Sequence, residues 1–473
     1  MTLRADSFDH DLAILGGGSG GYAAARTAAQ EGIDTVVIEG GEEVGGLCIL
    51  RGCMPTKALL YAAEVMRLAS NPQAFGITPG KVTYDFAKIM ARKDALIQGF
   101  ADYRREQLVA GKFRFIRATA RFLDPNTLQL SSGEKLRARH FLIATGSKIA
   151  APPLPSLAQI QCLNSDSALK LSRLPDSLIM LGGGAVAVEF AQFFARFGVR
   201  VTLVQRSPHL LHEFDADVAA ELENAFRREG IVLYTGTHLL EARRTPSGKE
   251  VLFRHREQTV RVEAEEAFFA LGRVPNITDL GLEGIGVRVE YNRIVTDAHM
   301  QTSVPHIYAA GDCTGLHEIV HIAVRQGEIA AENIAHPERR KKMDYRLLTE
   351  VIFTEPQVAN VGLTEKNADV KGIRYLVAKY AFKDHGKSMI MEALDGFVKL
   401  LADPLTGEIL GGGCVGPMAG ELIHEIIVAM DRRMTVHELS AVPHYHPTLA
   451  EIWTYPAEEL AAQINQARAA AIP

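Results

Sequence analysis

Cys48 and Cys53 are the side chains in this sequence best suited to redox chemistry. They lie in the run Gly45-Gly46-Leu47-Cys48-Ile49-Leu50-Arg51-Gly52-Cys53-Met54-Pro55-Thr56-Lys57. In a regular helix, residues five apart have Cα atoms roughly 8–9 Å apart, whereas a disulfide needs them within about 7 Å. Pairing therefore requires a distorted turn, which Gly52 permits. Arg51 between the two, and a helix N-terminus if the segment opens one, favour a thiolate. Taken alone, two cysteines at this spacing are more often unpaired thiols. Cys162, Cys313 and Cys414 stand apart and read as small apolar fillers. No metal site is expected.

The elements around the pair change that balance. The apolar run DLAIL (11–15) ends in a glycine loop, Gly16-x-Gly18-x-x-Gly21. An Ala-rich helical segment from Tyr22 to about Gln30 follows, and then a second apolar run, TVVIEG. This is a strand–loop–helix–strand unit whose glycines let the backbone approach a pyrophosphate at a helix N-terminus. Glu39, 23 residues after Gly16, sits where a carboxylate accepts hydrogen bonds from a ribose. The same design recurs 166 residues later: SLIML, then Gly182-x-Gly184-x-x-Ala187, a helical run, and VRVTLVQR. Here the second strand ends in Gln205-Arg206 rather than an acid. An acid binds a 2′-hydroxyl and repels a 2′-phosphate, and an arginine does the reverse. The second site therefore leans towards NADPH, with NADH the alternative if Arg206 is only a solvated surface charge. Two dinucleotide sites flanking a cysteine pair describe two cofactors exchanging electrons with a dithiol.

Composition agrees with a globular redox enzyme. The 473 residues suit two to four domains, with 47% apolar and 23% charged residues. Net charge is −5 and no Lys/Arg block stands out, which argues against a nucleic-acid partner. No apolar run reaches the ~18–20 residues of a membrane span. MTLRADSFDHDLAIL lacks the features of a secretory signal. A cytoplasmic location is expected, where any disulfide is a working one. A proline cluster (Pro152, Pro153, Pro155) marks a linker, a second crossover falls near Arg273–Asn276, and the pattern changes to α+β from about Tyr345.

The Gly45–Lys57 run, GG-x-C-x3-GC-x-P-T-K, resembles the redox disulfide of the pyridine nucleotide–disulfide oxidoreductases. That family includes dihydrolipoamide dehydrogenase, glutathione reductase and mercuric reductase. Nearly the whole chain shares the likeness. Thr302-Ser303-Val304-Pro305-His306-Ile307-Tyr308-Ala309-Ala310-Gly311-Asp312 resembles its second FAD motif. Ala144-Thr145-Gly146 and Gly272-Arg273-x-Pro275-Asn276 resemble its connecting motifs, and His444-Tyr445-His446-Pro447-Thr448-Leu449-x-Glu451 its C-terminal motif.

The resemblance implies an α/β fold with two Rossmann-like dinucleotide-binding domains and a C-terminal α+β dimerisation domain. The implied limits are 1–150 and 276–345 for FAD, 151–275 for NAD(P) and 346–473 for dimerisation. Cys53 would lie nearer the flavin, and Cys48 would exchange with substrate. His446, oriented by Glu451, would be the acid–base serving the other subunit of a homodimer. Lys57 would lie near flavin N5 and pair with Glu189. Gly46, Thr145, Gly146, Asp312 and the helix bearing His321 would hold the flavin, and Gly272 and Arg273 would complete the cofactor set. These roles are chemically coherent: thiol–disulfide exchange needs a thiolate and a protonated leaving thiol, and a histidine braced by a carboxylate serves both. Thr448-x-x-Glu451 is also a capping box for a following helix.

The implied activity is NAD(P)-linked, FAD-dependent and dihydrolipoamide dehydrogenase-like, acting on a small dithiol or disulfide, including lipoyl groups on a carrier protein. The alternatives are an NADPH-dependent reductase of another small disulfide, or a mercuric-reductase- or diaphorase-like reductase of metal ions or quinones. HYHPTLAE favours the dihydrolipoamide enzyme, whereas Gln205-Arg206 departs from the acid expected of its NAD-linked forms. The ending ARAAAIP lacks the cysteines expected of mercuric reductase.

Overall fold

The computed structural model describes residues 8–470; the reading of the first seven residues and of the last three lies outside them. Within that span the chain forms two compact units. The first comprises the chain up to Pro55, Ala91–Ala151 and Gly272–Asp344; the second comprises Thr56–Met90, Pro152–Leu271 and the chain from Tyr345.

The first unit is built on a seven-stranded sheet. Strand His10–Leu15 lies between Thr35–Glu39 and Lys135–Ile143, parallel to both, with Leu15 opposite Ile38 and Ile143. Continuous apolar runs such as Leu12–Leu15 suit strands covered on both faces. Ile307–Ala309 joins the same sheet against Phe141–Ile143. The carboxyl ends of these three strands deliver Gly16, Ala144 and Ala310 to one edge, the usual ligand side of a doubly wound sheet. Helix Ser19–Gln30 begins at Gly18, a turn earlier than the apolar pattern suggests, because the glycines of the loop already belong to it. It crosses helix Val320–Ala335 at glycine: a Cβ on Gly327 would lie 2.2 Å from the Gly20 carbonyl oxygen.

The second unit contains a four-stranded parallel sheet in the order Val232–Tyr234, Arg200–Val204, Ser177–Leu181, Glu266–Phe269. Its helix Ala185–Arg196 buries Phe190, Phe193 and Phe194 around Phe268. An antiparallel meander, His238–Thr245, Gly248–His255 and Gln258–Ala264, inserts before the last strand. From Tyr345 a five-stranded antiparallel sheet is covered by helices Ala419–Asp431 and Thr454–Ala470 around Phe382, Met430 and Trp453. Trp453 is wholly buried core, its indole N–H donating to the Leu422 carbonyl at 3.1 Å. Among the described residues, no helix is long and apolar enough to cross a membrane.

One buried charge ties strand Phe397–Ala402 to helices Ala216–Arg228 and Glu365–Lys371. Lys399 Nζ lies 2.7 Å from Asp215, 2.8 Å from Glu365 and 3.1 Å from Asp217. Burial works against charge on Asp217, but hydrogen bonds from Lys379 and Lys399 hold its carboxyl below its ordinary range. These acids are the described residues' one cluster of metal-ligand type, and Lys399 fills it. Replacing Lys399 by Met should destabilise the protein by about 3 kcal/mol at pH 7, because three acids then face one another without their cation. The deficit should narrow between pH 7 and pH 5, because the stranded acids protonate in the variant while the wild type keeps the stability of its depressed carboxyl over that range. Urea unfolding at pH 7 and pH 5 checks both.

Candidate functional site

In the first unit, the Glu39 carboxylate braces the glycine loop from below. Oε2 accepts from the Gly17 amide at 2.8 Å and Oε1 from the Gly41 amide at 2.7 Å. Gly16, Gly18 and Gly21 form the turn into helix Ser19–Gln30, whose N-terminus has no side-chain cap. Its orphan N–H groups are free to receive an anion. Thr145 and Gly146 leave strand Lys135–Ile143 beside this turn, and the Thr145 hydroxyl oxygen is buried without a hydrogen-bond partner, an expensive state that a ligand would relieve. Asp312 follows strand Ile307–Ala309, and His321 is the second residue of helix Val320–Ala335.

The connecting motifs meet at Ser147, a residue the sequence did not single out. Its hydroxyl donates to Asp312 Oδ2 at 2.7 Å and accepts from Arg273 Nε at 2.8 Å. Arg273 Nη2 also reaches the Ser147 carbonyl, and the Gly272 carbonyl accepts from the Ala150 amide. Arg273 thus sets Asp312 through Ser147.

The cysteine segment is split between two helices. Cys48 lies in the five-residue helix Gly46–Leu50, and Cys53 opens the eighteen-residue helix Cys53–Ser70. The turn between them departs from helical geometry at Arg51, whose φ is −144°. Gly52 packs on the first cysteine's backbone, and a Cβ there would lie 3.2 Å from Cys48 Cα. Cys53 at a helix N-terminus is placed where the dipole favours a thiolate. Gly46 has φ +76°, and its Cβ position lies 2.7 Å from Gly18 Cα, so the cysteine helix starts in backbone contact with the glycine loop. Arg104 is a cation the sequence gave no sign of. Its guanidinium carbon lies 4.1 Å from the centre of the Tyr22 ring. Burial lowers its pKa, and Tyr22 and Cys48 oppose that. The other cysteines are ill suited to exchange. Burial raises the Cys162 thiol, pushes Cys313 up to about 12 and raises Cys414 further still. Cys313 is more than filler, since its thiol reaches the Ile143 and Ala310 carbonyls.

In the second unit, Gly182 and Gly184 turn into helix Ala185–Arg196, where Ala187 is fully buried. Gln205 takes the place beneath this turn that Glu39 has in the first: a Cβ on Gly183 would meet its side chain at 2.9 Å. Its Oε1 accepts from the Arg206 amide at 3.0 Å, and Arg206 itself is exposed. On the same helix, buried Glu189 receives Lys57 Nζ at 2.9 and 3.0 Å and the Phe353 amide at 3.0 Å. The carboxylate therefore has specific partners and is not a first-turn acid on the helix dipole alone.

His446 and Glu451 are also brought together. His446 Nδ1 lies 3.0 and 3.2 Å from the two Glu451 oxygens. The imidazole is 77% exposed and the carboxylate only 10%. The capping box forms only by half. The Thr448 hydroxyl accepts from the Glu451 amide at 3.4 Å, while the Glu451 carboxylate turns to His446 instead of the cap. Neighbouring His444 bonds Glu425 at 2.5 Å. Burial opposes its protonation, but Glu425 and the Val442 carbonyl prevail and raise its pKa.

Residues 10–327 match the pyridine nucleotide-disulphide oxidoreductase family, and residues 348–457 match that family's dimerisation domain. The chain belongs to this family. It is 34% identical over 461 residues to a dihydrolipoyl dehydrogenase of Bacillus subtilis, covering 94% of this chain and 96% of that protein. A dihydrolipoyl dehydrogenase of Mycobacterium leprae is 35% identical over 451 residues, with 93% and 96% covered. The solved structure of LpdA from Mycobacterium tuberculosis matches with a TM-score of 0.84 at 30% identity, covering 95% of this chain and 99% of that one. The HOCl-induced flavoprotein disulfide reductase RclA from Escherichia coli has the same TM-score, 0.84, at 24% identity over 95% and 99%, a likeness of fold. Family membership makes the protein an oxidoreductase that uses FAD and a pyridine nucleotide.

Gly46→Ala tests the contact between the cysteine helix and the glycine loop. It combines a left-handed backbone with a clash against Gly18, and should weaken FAD retention at least about tenfold, the equivalent of 1.4 kcal/mol. Flavin absorbance per chain after exhaustive dialysis checks this.

Proposed function

We propose that the protein is a homodimeric, FAD-dependent dihydrolipoamide dehydrogenase-like enzyme that passes electrons between a small dithiol and a pyridine nucleotide through Cys48 and Cys53. The observation that carries this reading is the exposed His446 imidazole with Nδ1 on a buried carboxylate. That contact places the hydrogen on Nδ1 and leaves Nε2 to take a proton from an incoming thiol. The domain limits proposed are those read from the sequence, and the cytoplasm is the proposed compartment.

FAD would be held by the turn at Gly16, Gly18 and Gly21, by Glu39 at the ribose, by Gly46, Thr145, Gly146 and Asp312, and by the helix N-terminus bearing His321. Gly272 and Arg273 support this set from behind through Ser147. The unpartnered Thr145 hydroxyl and the uncapped helix N-terminus fit such a ligand. Bound flavin supplies the two-electron relay between nicotinamide and the cysteine pair. Lys57, held by Glu189, would present a fixed positive charge beside it.

In the forward direction His446 of the other subunit accepts the proton of the first substrate thiol. The resulting thiolate attacks the Cys48 sulfur, the Cys48–Cys53 bond breaks, and Cys53 leaves as a thiolate. The second substrate thiol then attacks the substrate sulfur of the mixed disulfide and releases Cys48. The substrate is thereby oxidised to its disulfide and the cysteine pair reduced by two electrons. Lipoyl groups on a carrier protein are the proposed physiological dithiol.

NADPH is the proposed nucleotide. Neutral Gln205 stands where the first unit has Glu39, so no carboxylate repels a 2′-phosphate, and Arg206 is free to meet one. The same pair favours, as second reading, an NADPH-dependent reductase of a different small disulfide. Arg206→Glu should raise KM for NADPH by about tenfold or more, the worth of a charge-assisted hydrogen bond, and leave NADH nearly unaffected. Steady-state kinetics with both nucleotides checks this.

The test of the main reading is anaerobic mixing of oxidised enzyme with excess dihydrolipoamide, followed by the flavin spectrum. A rapid long-wavelength band from a thiolate beside the flavin, then reduction of NADP⁺ or NAD⁺, is expected, and Cys48→Ser should abolish nucleotide reduction. No band with the dithiol but a rapid one with NADPH would favour the second reading.

A further inference from the structure

A second histidine lies on the carboxylate that braces His446. His385 is wholly buried at the start of helix Gly386–Ile390. Its Nδ1 lies 2.9 Å from the hydroxyl of Ser388, itself fully buried, and its Nε2, buried and with no well-aligned hydrogen-bond partner, lies 3.4 Å from Glu451 Oε1. Glu451 therefore stands between two imidazoles, one exposed and one sealed inside. We propose that His385 is a positioning residue for the acid–base pair: its buried Nε2–H faces Glu451 and thereby sets the orientation and the proton affinity of the His446–Glu451 unit. This rests on the acid–base reading of His446 given above.

The tautomer follows from the partners. Burial lowers the pKa of His385, with Glu451 opposing, so the ring is neutral and carries one N–H. An ionised carboxylate only accepts, whereas a hydroxyl can donate. Both contacts are satisfied only with the hydrogen on Nε2, facing Glu451, and with the Ser388 hydroxyl donating to Nδ1. The other titratable groups around the pair are His444, occupied by Glu425, and Tyr455, which meets the His385 ring edge-on and stacks on Tyr380. His446 adds a repulsive contribution against protonation of His385.

The direction of the effect is set by charge. His446 and Glu451 form one unit through the contact of imidazole and carboxylate. When that unit has lost its proton it is an anion, and the His385 N–H stabilises the anion more than the neutral ion pair. Removing the donor therefore raises the pH at which His446 becomes available as a base.

The experiment is the pH profile of kcat for dihydrolipoamide oxidation by the FAD-loaded dimer. His385→Phe should move the acidic limb up by about one pH unit, the size expected for loss of a hydrogen bond to a charged group. KM for the nucleotide should stay within about twofold, which is small on the scale of a binding contact. His385→Gln, which keeps an N–H donor, should return the limb most of the way. Ser388→Ala should move it the same way by less, and stands in if the Phe variant fails to fold. In a His446→Gln background His385→Phe should cost nothing further, as expected for a residue that acts through His446. An unmoved limb in both the Phe and Ser388→Ala variants, an equal shift in Gln, or a further loss in the His446→Gln background would each overturn the proposal. If His446→Gln alone leaves dithiol oxidation intact, the acid–base reading itself fails and the role of His385 falls with it.

Discussion

Contact between bare backbones is the constraint on which the first unit rests. Helix Ser19–Gln30 meets helix Val320–Ala335 at Gly20 and Gly327, and the cysteine helix meets the glycine loop at Gly46 and Gly18. A side chain at Gly20, Gly327 or Gly46 would push the elements apart. With none present, two helix N-termini, the carboxyl ends of three parallel strands and the cysteine-bearing turn gather at one edge of the sheet. Orphan N–H groups of the helix starts face the same place as the unpartnered Thr145 hydroxyl, so polar groups that are costly to leave unpaired gather where a cofactor can pair them.

Where charge is buried, it is held by several partners at once. Lys399 reaches three acids, Glu189 takes both Lys57 and a backbone amide, and Glu451 lies between His446 and His385. Multiple partners are what make a buried ion tolerable, because desolvation of a lone charge exceeds what a single contact returns. The same design recurs around His446: a carboxylate shielded from water keeps its charge directed at an imidazole whose ring is open to solvent.

The two nucleotide units show one scaffold with two different side chains beneath its loop. In the first, Glu39 accepts from the loop's own amide; in the second, Gln205 fills the same space and turns to the next backbone N–H, with Arg206 outside. The backbone path tolerates either residue because the contact beneath the loop needs an acceptor oxygen rather than a charge.

By itself the sequence determined the repeated strand–loop–helix design, the pairing of His446 with Glu451 and the α/β class, because each is written in local spacing: glycines at a turn, apolar runs in strands, a histidine five residues from its glutamate. It gave no sign of Ser147 between Arg273 and Asp312, of Arg104 over Tyr22, or of His385 behind Glu451. These partners lie far apart along the chain, and no local pattern marks a lone serine, arginine or histidine. Only the tertiary structure brings them to their partners, because strand order and helix crossing, rather than sequence neighbourhood, decide which buried polar groups must satisfy one another. It also decided that the Glu451 carboxylate braces His446 and leaves the helix cap to Thr448 alone: local spacing allows both, and a single carboxylate turned towards a histidine cannot also face the cap.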